Sequence, residues 1–265
     1  MAEFDDPTQA GNDPAPSNRS SHQTRVAAVV AAGVVAGVVL GQVLPLTGSL
    51  FKIPEEIMKI PGPPYSPENQ LKVDNANLEV QVKNSGAQSA IVGAVFGLVL
   101  GAAGGWLRRP AAAGLGAVIG LTAGGLFGGA GGVADAFIYQ ALFNRRIVHP
   151  DYDVFLRTSM AHACVWGLTS LAVSLALWPA AGRKGKYLQL LAVNLLSALI
   201  WAFAFPFLAA VLAIVGLLGQ SEVPIPSPQL MATLWCTGAG AIFGLASARI
   251  LTAVEAPAAP DDPGT

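Results

Sequence analysis

The chain has 265 residues, of which 53% are hydrophobic and only 12% are charged, about half the charged share of an ordinary soluble domain. The formal net charge of -1 gives no electrostatic indication of a nucleic-acid partner. This composition favours a chain that places most of its length in an apolar environment.

Long charge-free stretches give the strongest signal, because six segments of 24 to 35 residues contain no Asp, Glu, Lys or Arg. A helix on a soluble protein carries charges on its wet face, whereas one charge at mid-membrane costs about 2.5–3.5 kcal/mol. About 20 apolar residues cross a hydrocarbon core of roughly 30 Å. The sequence therefore predicts an all-α, polytopic helical membrane bundle over residues 25–252. Its six predicted spans are residues 26–45, 86–107, 111–134, 157–178, 187–217 and 229–251.

Prolines mark several predicted span ends. Pro45 and Pro179 are expected to end the first and fourth spans, and Pro110 to open the third. The fifth charge-free stretch has 35 residues, which is too short for two spans and a turn. We therefore expect one long helix there, kinked near Pro206.

The polar segments outside the spans are of two kinds. Residues 1–24 and 253–265 have the composition of disordered tails. Residues 46–85 form the largest loop, in which Ser66, Pro67 and Glu68 indicate a helix start. The run from Leu78 to Lys83 alternates like a strand, so helix and strand both remain open for residues 68–85.

The placement of Lys and Arg predicts the orientation. The tight connections at residues 107–110 and 182–186 are rich in Lys and Arg, whereas the loop at residues 219–229 has neither. Arg145 and Arg146 are the evidence against this assignment. Because cytoplasmic loops collect positive charge, we expect both termini in the cytoplasm, and residues 46–85 outside it.

Glycine recurs at every fourth residue in two neighbouring spans. Fourfold spacing places small residues on one helix face, where backbones can approach closely, so a tight helical hairpin is predicted. The predicted packing positions are Gly93, Gly97, Gly101, Gly105, Gly116, Gly120, Gly124, Gly128 and Gly132. The run from Gly93 to Leu98 nearly matches the run from Gly240 to Leu245, for which low-complexity coincidence is the favoured explanation.

Polar side chains inside a membrane are candidate functional groups. His162 is a candidate proton or ligand site, although a structural imidazole, wetted at the interface or bonded to a neighbouring helix, is favoured. Asp135 either lines a vestibule or lies at the headgroup boundary. Asn194 is expected to hold helices together by hydrogen bonds.

His162, Cys164 and Cys236 are soft ligands that together could form a metal site. His162 and Cys164 are two residues apart on a helix and point to nearly opposite faces, so no metal is predicted. We found no motif for a hydrolase, a metalloprotease or a phosphate loop, and we predict no cofactor.

The glycine-rich hairpin ends in Trp106-Leu107-Arg108-Arg109 and is followed by His162-Ala163-Cys164-Val165-Trp166-Gly167 and a proline-flanked last span. This order, over roughly residues 84–250, resembles glycine-zipper multi-span membrane proteins of planctomycete-type bacteria. Those proteins carry a His-small-small-Ile-Trp motif at the corresponding place. The resemblance implies a bacterial cytoplasmic membrane and brings no activity or site with it.

Three functions remain open from the sequence. A non-enzymatic membrane scaffold or assembly subunit is favoured, because the spans combine close-packing faces with very few ionisable groups. Its partners would be the lipid bilayer and either a second copy or another membrane protein, bound through the glycine faces. A small-solute channel or transporter is the alternative, and an intramembrane enzyme using His162 and Asp135 is the least favoured.

Topology can be tested by cysteine labelling in intact cells. Single cysteines at Gly185 and near the carboxyl terminus should be protected from a membrane-impermeant reagent, and cysteines within residues 60–80 should react. Labelling of the carboxyl terminus from outside would mean that the fifth charge-free stretch holds two spans.

Overall fold

The computed structural model describes residues 17–48, 50–144, 150–182, 184–215, 225–226 and 228–253. Every secondary-structure element in this part of the chain is a helix. The elements are α1 (Ser17–Thr47), α2 (Glu55–Met58), α3 (Pro67–Trp106), α4 (Pro110–Asn144), α5 (Pro150–Ala181), α6 (Lys184–Ile214) and α7 (Gln229–Thr252). All except α2 contain a segment long and apolar enough to cross a membrane, so the prediction of a helical bundle with six spans is confirmed.

The six long helices form an inner and an outer set. Helices α3, α5 and α7 run in one direction and touch one another, while α1, α4 and α6 run in the opposite direction and lie in the grooves between them. In the most apolar window of each inner helix, 50–61% of the residues are buried, against 28–33% in the outer helices. The centre of the protein is therefore the junction of α3, α5 and α7.

Glycine contacts join α3 to α4 along their length. Added Cβ atoms at Gly93, Gly97 and Gly101 would collide with the carbonyl oxygens of Gly124, Gly120 and Gly116, respectively. Such backbone contact gains dispersion energy where lipid supplies no hydrophobic drive. These faces are occupied within the chain, so an oligomer would have to use other surfaces.

A second glycine seam joins α1 to α7. A Cβ at Gly33 would collide with the carbonyl oxygen of Gly240, and one at Gly37 would lie 2.5 Å from the carbonyl oxygen of Cys236. The similar runs that begin at Gly93 and Gly240 thus have matching roles, since each of these glycines faces an antiparallel outer helix.

Helix α3 is 40 residues long, so it measures about 60 Å, twice the thickness of the hydrocarbon core. The Ser66 side chain accepts a hydrogen bond from the Asn69 backbone N–H at 3.3 Å, and Pro67 occupies the first turn. Residues 68–85 are therefore helical, and the strand alternative is wrong. Because all charged residues of α3 lie within residues 67–84, we assign this segment, here called the arm, to the part of the helix outside the membrane and call this side of the bilayer the arm side.

The predicted helix ends need correction at Pro45 and Pro179, which both lie inside helices. The end of α1 is stabilised because the Leu44 carbonyl accepts hydrogen bonds from Thr47 and Gln88. Helix α5 ends instead at Ala181, and Gly182 follows it with a φ of 72°, the left-handed conformation typical after a helix.

Other boundaries also shift. Residues 17–24 are helical rather than disordered, because neither proline nor glycine interrupts the chain before the first span. Helix α4 continues ten residues past the predicted end at 134, and α5 begins seven residues before 157. Pro206 lies within the single helix α6, as expected. Residues 1–16, 145–149, 216–224 and 254–265 lie outside the described residues, and so do the corresponding predictions.

The glycine seam predicts unequal effects of adding one methyl group. Gly97→Ala should destabilise the protein by about 1–3 kcal/mol, because the helices must separate to relieve the collision. Gly125→Ala on the same hairpin should be neutral or slightly stabilising, since a Cβ at Gly125 meets nothing within 4 Å. Thermal unfolding in detergent measures both, and equal tolerance at the two sites would contradict the seam.

Candidate functional site

Four aromatic side chains fill the junction of the inner helices, and we call them the aromatic cluster: Phe96, Trp166, Trp235 and Phe243. The Trp166 and Trp235 ring centroids are 4.4 Å apart, and Phe96 lies 6.0 Å from Trp166 and 6.5 Å from Phe243. None of the four rings is more than 1% exposed. The cluster therefore closes the centre of the bundle.

Polar side chains are buried on the arm side of this cluster. We call them the arm-side polar layer: Ser85, Gln88, Ser89, Asp135, Ser159 and His162. They belong to α3, α4 and α5, and their exposed fractions are between 0 and 9%. The carboxylate oxygens of Asp135 and the hydroxyls of Ser89 and Ser159 have no hydrogen-bond partner within the described residues.

The neighbours of Asp135 along α4 show where its side chain points. Gly132 packs against α3 at Ser85 and Ser89, and Gly131 packs against α5 at Cys164. Asp135 follows them by three and four residues on the same helical face, so it points between α3 and α5. Its side chain is completely buried between the helices, so it contacts neither solvent nor lipid in this conformation.

One helical turn beyond Asp135, the Arg157 guanidinium lies over the Tyr139 ring at 6.0 Å from the centroid. This contact joins α4 to α5 between the carboxylate and the arm-side surface.

His162 is buried rather than wetted at the interface, with 1% of its surface exposed. Its ring lies 5.6 Å from Phe205 and 5.4 Å from Trp235, measured between centroids. The imidazole thus belongs to the arm-side polar layer and contacts Trp235 of the aromatic cluster. Sequence reasoning placed His162 within a span but could not assign these neighbours.

Asn194 lies on the other side of the aromatic cluster, where it links three helices. Its amide nitrogen donates to the Ser174 hydroxyl at 3.2 Å, and its amide oxygen accepts from the Ser247 hydroxyl at 3.1 Å. The side chain therefore joins α6 to both α5 and α7, which is the structural role expected for it. Sequence reasoning missed Ser174 and Ser247, because serines are common in these spans.

Further buried donors without partners lie close to the aromatic cluster. The indole N–H groups of Trp166 and Trp235 and the hydroxyl of Thr169 have no partner among the described residues. A buried polar group left without a partner costs roughly 1–3 kcal/mol, and native structures keep few of them. Water or a bound solute would supply the missing hydrogen bonds.

A cleft of about 310 Å³ lies at the opposite end of the bundle. It is lined by Arg109 and Leu115 of the α4 end and by Trp178 and Gly182 of the α5 end. Nearby, the Arg108 guanidinium donates to the Ala181 carbonyl at 3.4 Å. These arginine and tryptophan side chains suit the membrane–water interface, far from Asp135.

The described residues contain no group of three His, Cys, Asp or Glu side chains that could hold a metal ion. No family model, curated protein or solved structure matches the chain. The resemblance to planctomycete-type membrane proteins therefore stays a prediction. The arm-side polar layer, with the indole donors beside it, is the best candidate for a functional site.

Proposed function

We propose that the protein moves a small polar solute or ion across the membrane, without catalysing a reaction. The observation that carries this proposal is the concentration of unpartnered buried polar atoms where the inner helices meet. In a purely structural bundle, such atoms would lower stability without any gain. A hydrated solute or ion passing through the junction would satisfy them in turn.

The described conformation is a closed one under this proposal. The aromatic cluster separates the arm-side polar layer from the Asn194 network, so a solute would pass only after the inner helices separate at Trp166 and Trp235. Helix α6 is the best candidate for the moving element. It is the least buried of the six spans, and Pro206 cannot donate a backbone hydrogen bond within it.

A membrane scaffold is the second candidate, and the arm favours it. The arm is continuous with an inner helix of the bundle, so a protein bound to it would be held rigidly above the membrane. Ion pairs between Lys72 and Glu68 and between Lys83 and Glu79 stiffen its solvent-exposed surface modestly.

For either function, we place the protein in the cytoplasmic membrane of a bacterium with both termini in the cytoplasm. The support for this orientation is the distribution of Lys and Arg between the short connections. The arm would then lie on the side of the membrane that faces away from the cytoplasm.

A liposome flux screen tests the proposed function. The purified full-length chain should raise the flux of at least one member of a panel of monovalent ions and small neutral polar solutes. Trp166→Phe should lower that flux several-fold, because it keeps the ring but removes the indole donor. Trp178→Phe is the matched control and should have no effect, since Trp178 is 61% exposed at the far end of α5.

Two outcomes would contradict the proposal. One is the absence of flux for the whole panel with a correctly folded, reconstituted protein, which would favour the scaffold. The other is an equal loss of flux in both tryptophan variants, which would show that the indole donor in the junction has no special role.

A further inference from the structure

We propose that Asp135 and Ser89 form a binding site for one monovalent metal cation of about the size of sodium, reached from the arm side. This inference builds on the proposed transport function by naming a coupling ion. It can nevertheless be tested by equilibrium binding, without measuring any flux.

The buried carboxylate of Asp135 determines which charge a ligand must carry. Asp135 is completely buried, and neither of its carboxylate oxygens accepts a hydrogen bond within the described part of the chain. An isolated buried carboxylate is strongly unfavourable, so it must either take up a proton or be balanced by a bound positive charge. One carboxylate balances one monovalent cation, whereas a divalent ion would leave an excess buried charge.

The Ser89 hydroxyl is the second oxygen ligand that we assign to the cation. Sodium-sized cations prefer oxygen ligands, and the Ser89 hydroxyl offers an unpartnered oxygen at this level of the bundle. Ser89 Oγ would lie 2.6 Å from a Cβ at Gly132, one turn from Asp135. Gly132 has no side chain and leaves this hydroxyl uncovered, and Asp135 points between α3 and α5 one turn further along α4. We therefore assign both oxygens to one site.

Other charged and titratable groups lie on the helices around Asp135. On α5, the Arg157 guanidinium lies over Tyr139, one turn closer to the arm-side surface, and His162 packs against aromatic rings. Cys164, also on α5, offers a soft sulfur ligand, which a sodium-sized ion does not prefer. On α3, Lys83 forms an ion pair with Glu79 on the exposed arm. None of these groups is bonded to the Asp135 carboxylate, so its oxygens are available to a cation.

The depth of the site indicates the route of entry. Ser85 and Ser89 immediately follow the arm along α3, and the Tyr139–Arg157 contact lies one turn from Asp135 toward the arm side. On the opposite side of Asp135, the aromatic cluster blocks the way to the other end of the bundle. A cation would therefore enter and leave from the arm side in the described conformation.

Thermal unfolding of the full-length protein in detergent tests the site, with sodium chloride compared against choline chloride at equal ionic strength and alkaline pH. A ligand that binds only the folded state raises the melting temperature, and above its dissociation constant the rise grows with the logarithm of the ligand concentration. We expect sodium to raise the melting temperature of the native protein by a few degrees relative to choline. Asp135→Asn should abolish the sodium effect, and Ser89→Ala should weaken the apparent sodium affinity several-fold.

Two matched variants serve as controls. Asp74→Asn removes an exposed carboxylate of the arm, and Ser170→Ala removes a hydroxyl that donates to the Gly167 carbonyl on α5. Both should keep the full sodium effect. Equilibrium binding of radioactive sodium to each folded variant supplies a second readout, so the site stays testable if a variant has an altered melting temperature.

Three results would overturn the inference: no difference between sodium and choline in the native protein, a sodium effect that survives in Asp135→Asn, or stabilisation by acid alone that sodium does not change at any pH. The last would mean that the carboxylate takes up only a proton. Sodium binding without any solute flux would contradict the transport proposal but support the cation site. Solute flux without sodium binding would support the transport proposal but contradict the cation site.

Discussion

A lipid bilayer offers no hydrogen bonds, and this constraint governs the whole structure. Each backbone N–H and C=O must be satisfied inside the protein, so the chain crosses the membrane only as helices. Lipid also supplies no hydrophobic drive for helix association, which makes close packing the main source of cohesion. Buried polar side chains without hydrogen-bond partners lower the stability of such a bundle, so their presence requires a functional explanation.

The glycine seams satisfy the packing requirement for two antiparallel pairs, α3 with α4 and α1 with α7. Helix α6 is held in a different way, through the Asn194 hydrogen bonds and a bond of 2.9 Å from the Trp201 indole to the Trp235 carbonyl. Directional polar contacts of this kind can exchange partners more readily than interlocked backbones can separate. The bundle thus combines two rigid pairs, helix α5 packed closely against α4, and helix α6, which is fixed mainly by side chains.

The number of spans, the helical class and the fourfold glycine spacing could be predicted, because each follows from a repeated local pattern. The limits of individual helices could not, since Pro45 and Pro179 are tolerated near helix ends where neighbouring groups or water satisfy the freed carbonyls. Residues 68–85 were ambiguous because a few alternating apolar residues fit both helix and strand. Only the continuous helix starting at the Ser66 cap decides between them.

The candidate site was harder to predict than the fold. Asp135 and His162 were visible as polar residues at or within spans, but their burial depends on which way each helix faces. The partners of Asn194 and the unpartnered serines arise from contacts between distant segments, which a single sequence does not reveal. The roles of Trp166 and Trp235 depend in the same way on the meeting of α5 and α7.

The unpartnered polar atoms at the inner junction are expected to bind water or an ion in the membrane. A high-resolution structure of the full-length chain in lipid nanodiscs, with sodium present, would show whether they do. We expect ordered density within hydrogen-bonding or coordination distance of the Asp135 carboxylate, the Ser89 hydroxyl and the Trp166 indole nitrogen. A dry junction without such density, or one in which these atoms bond to other side chains of the protein, would contradict it.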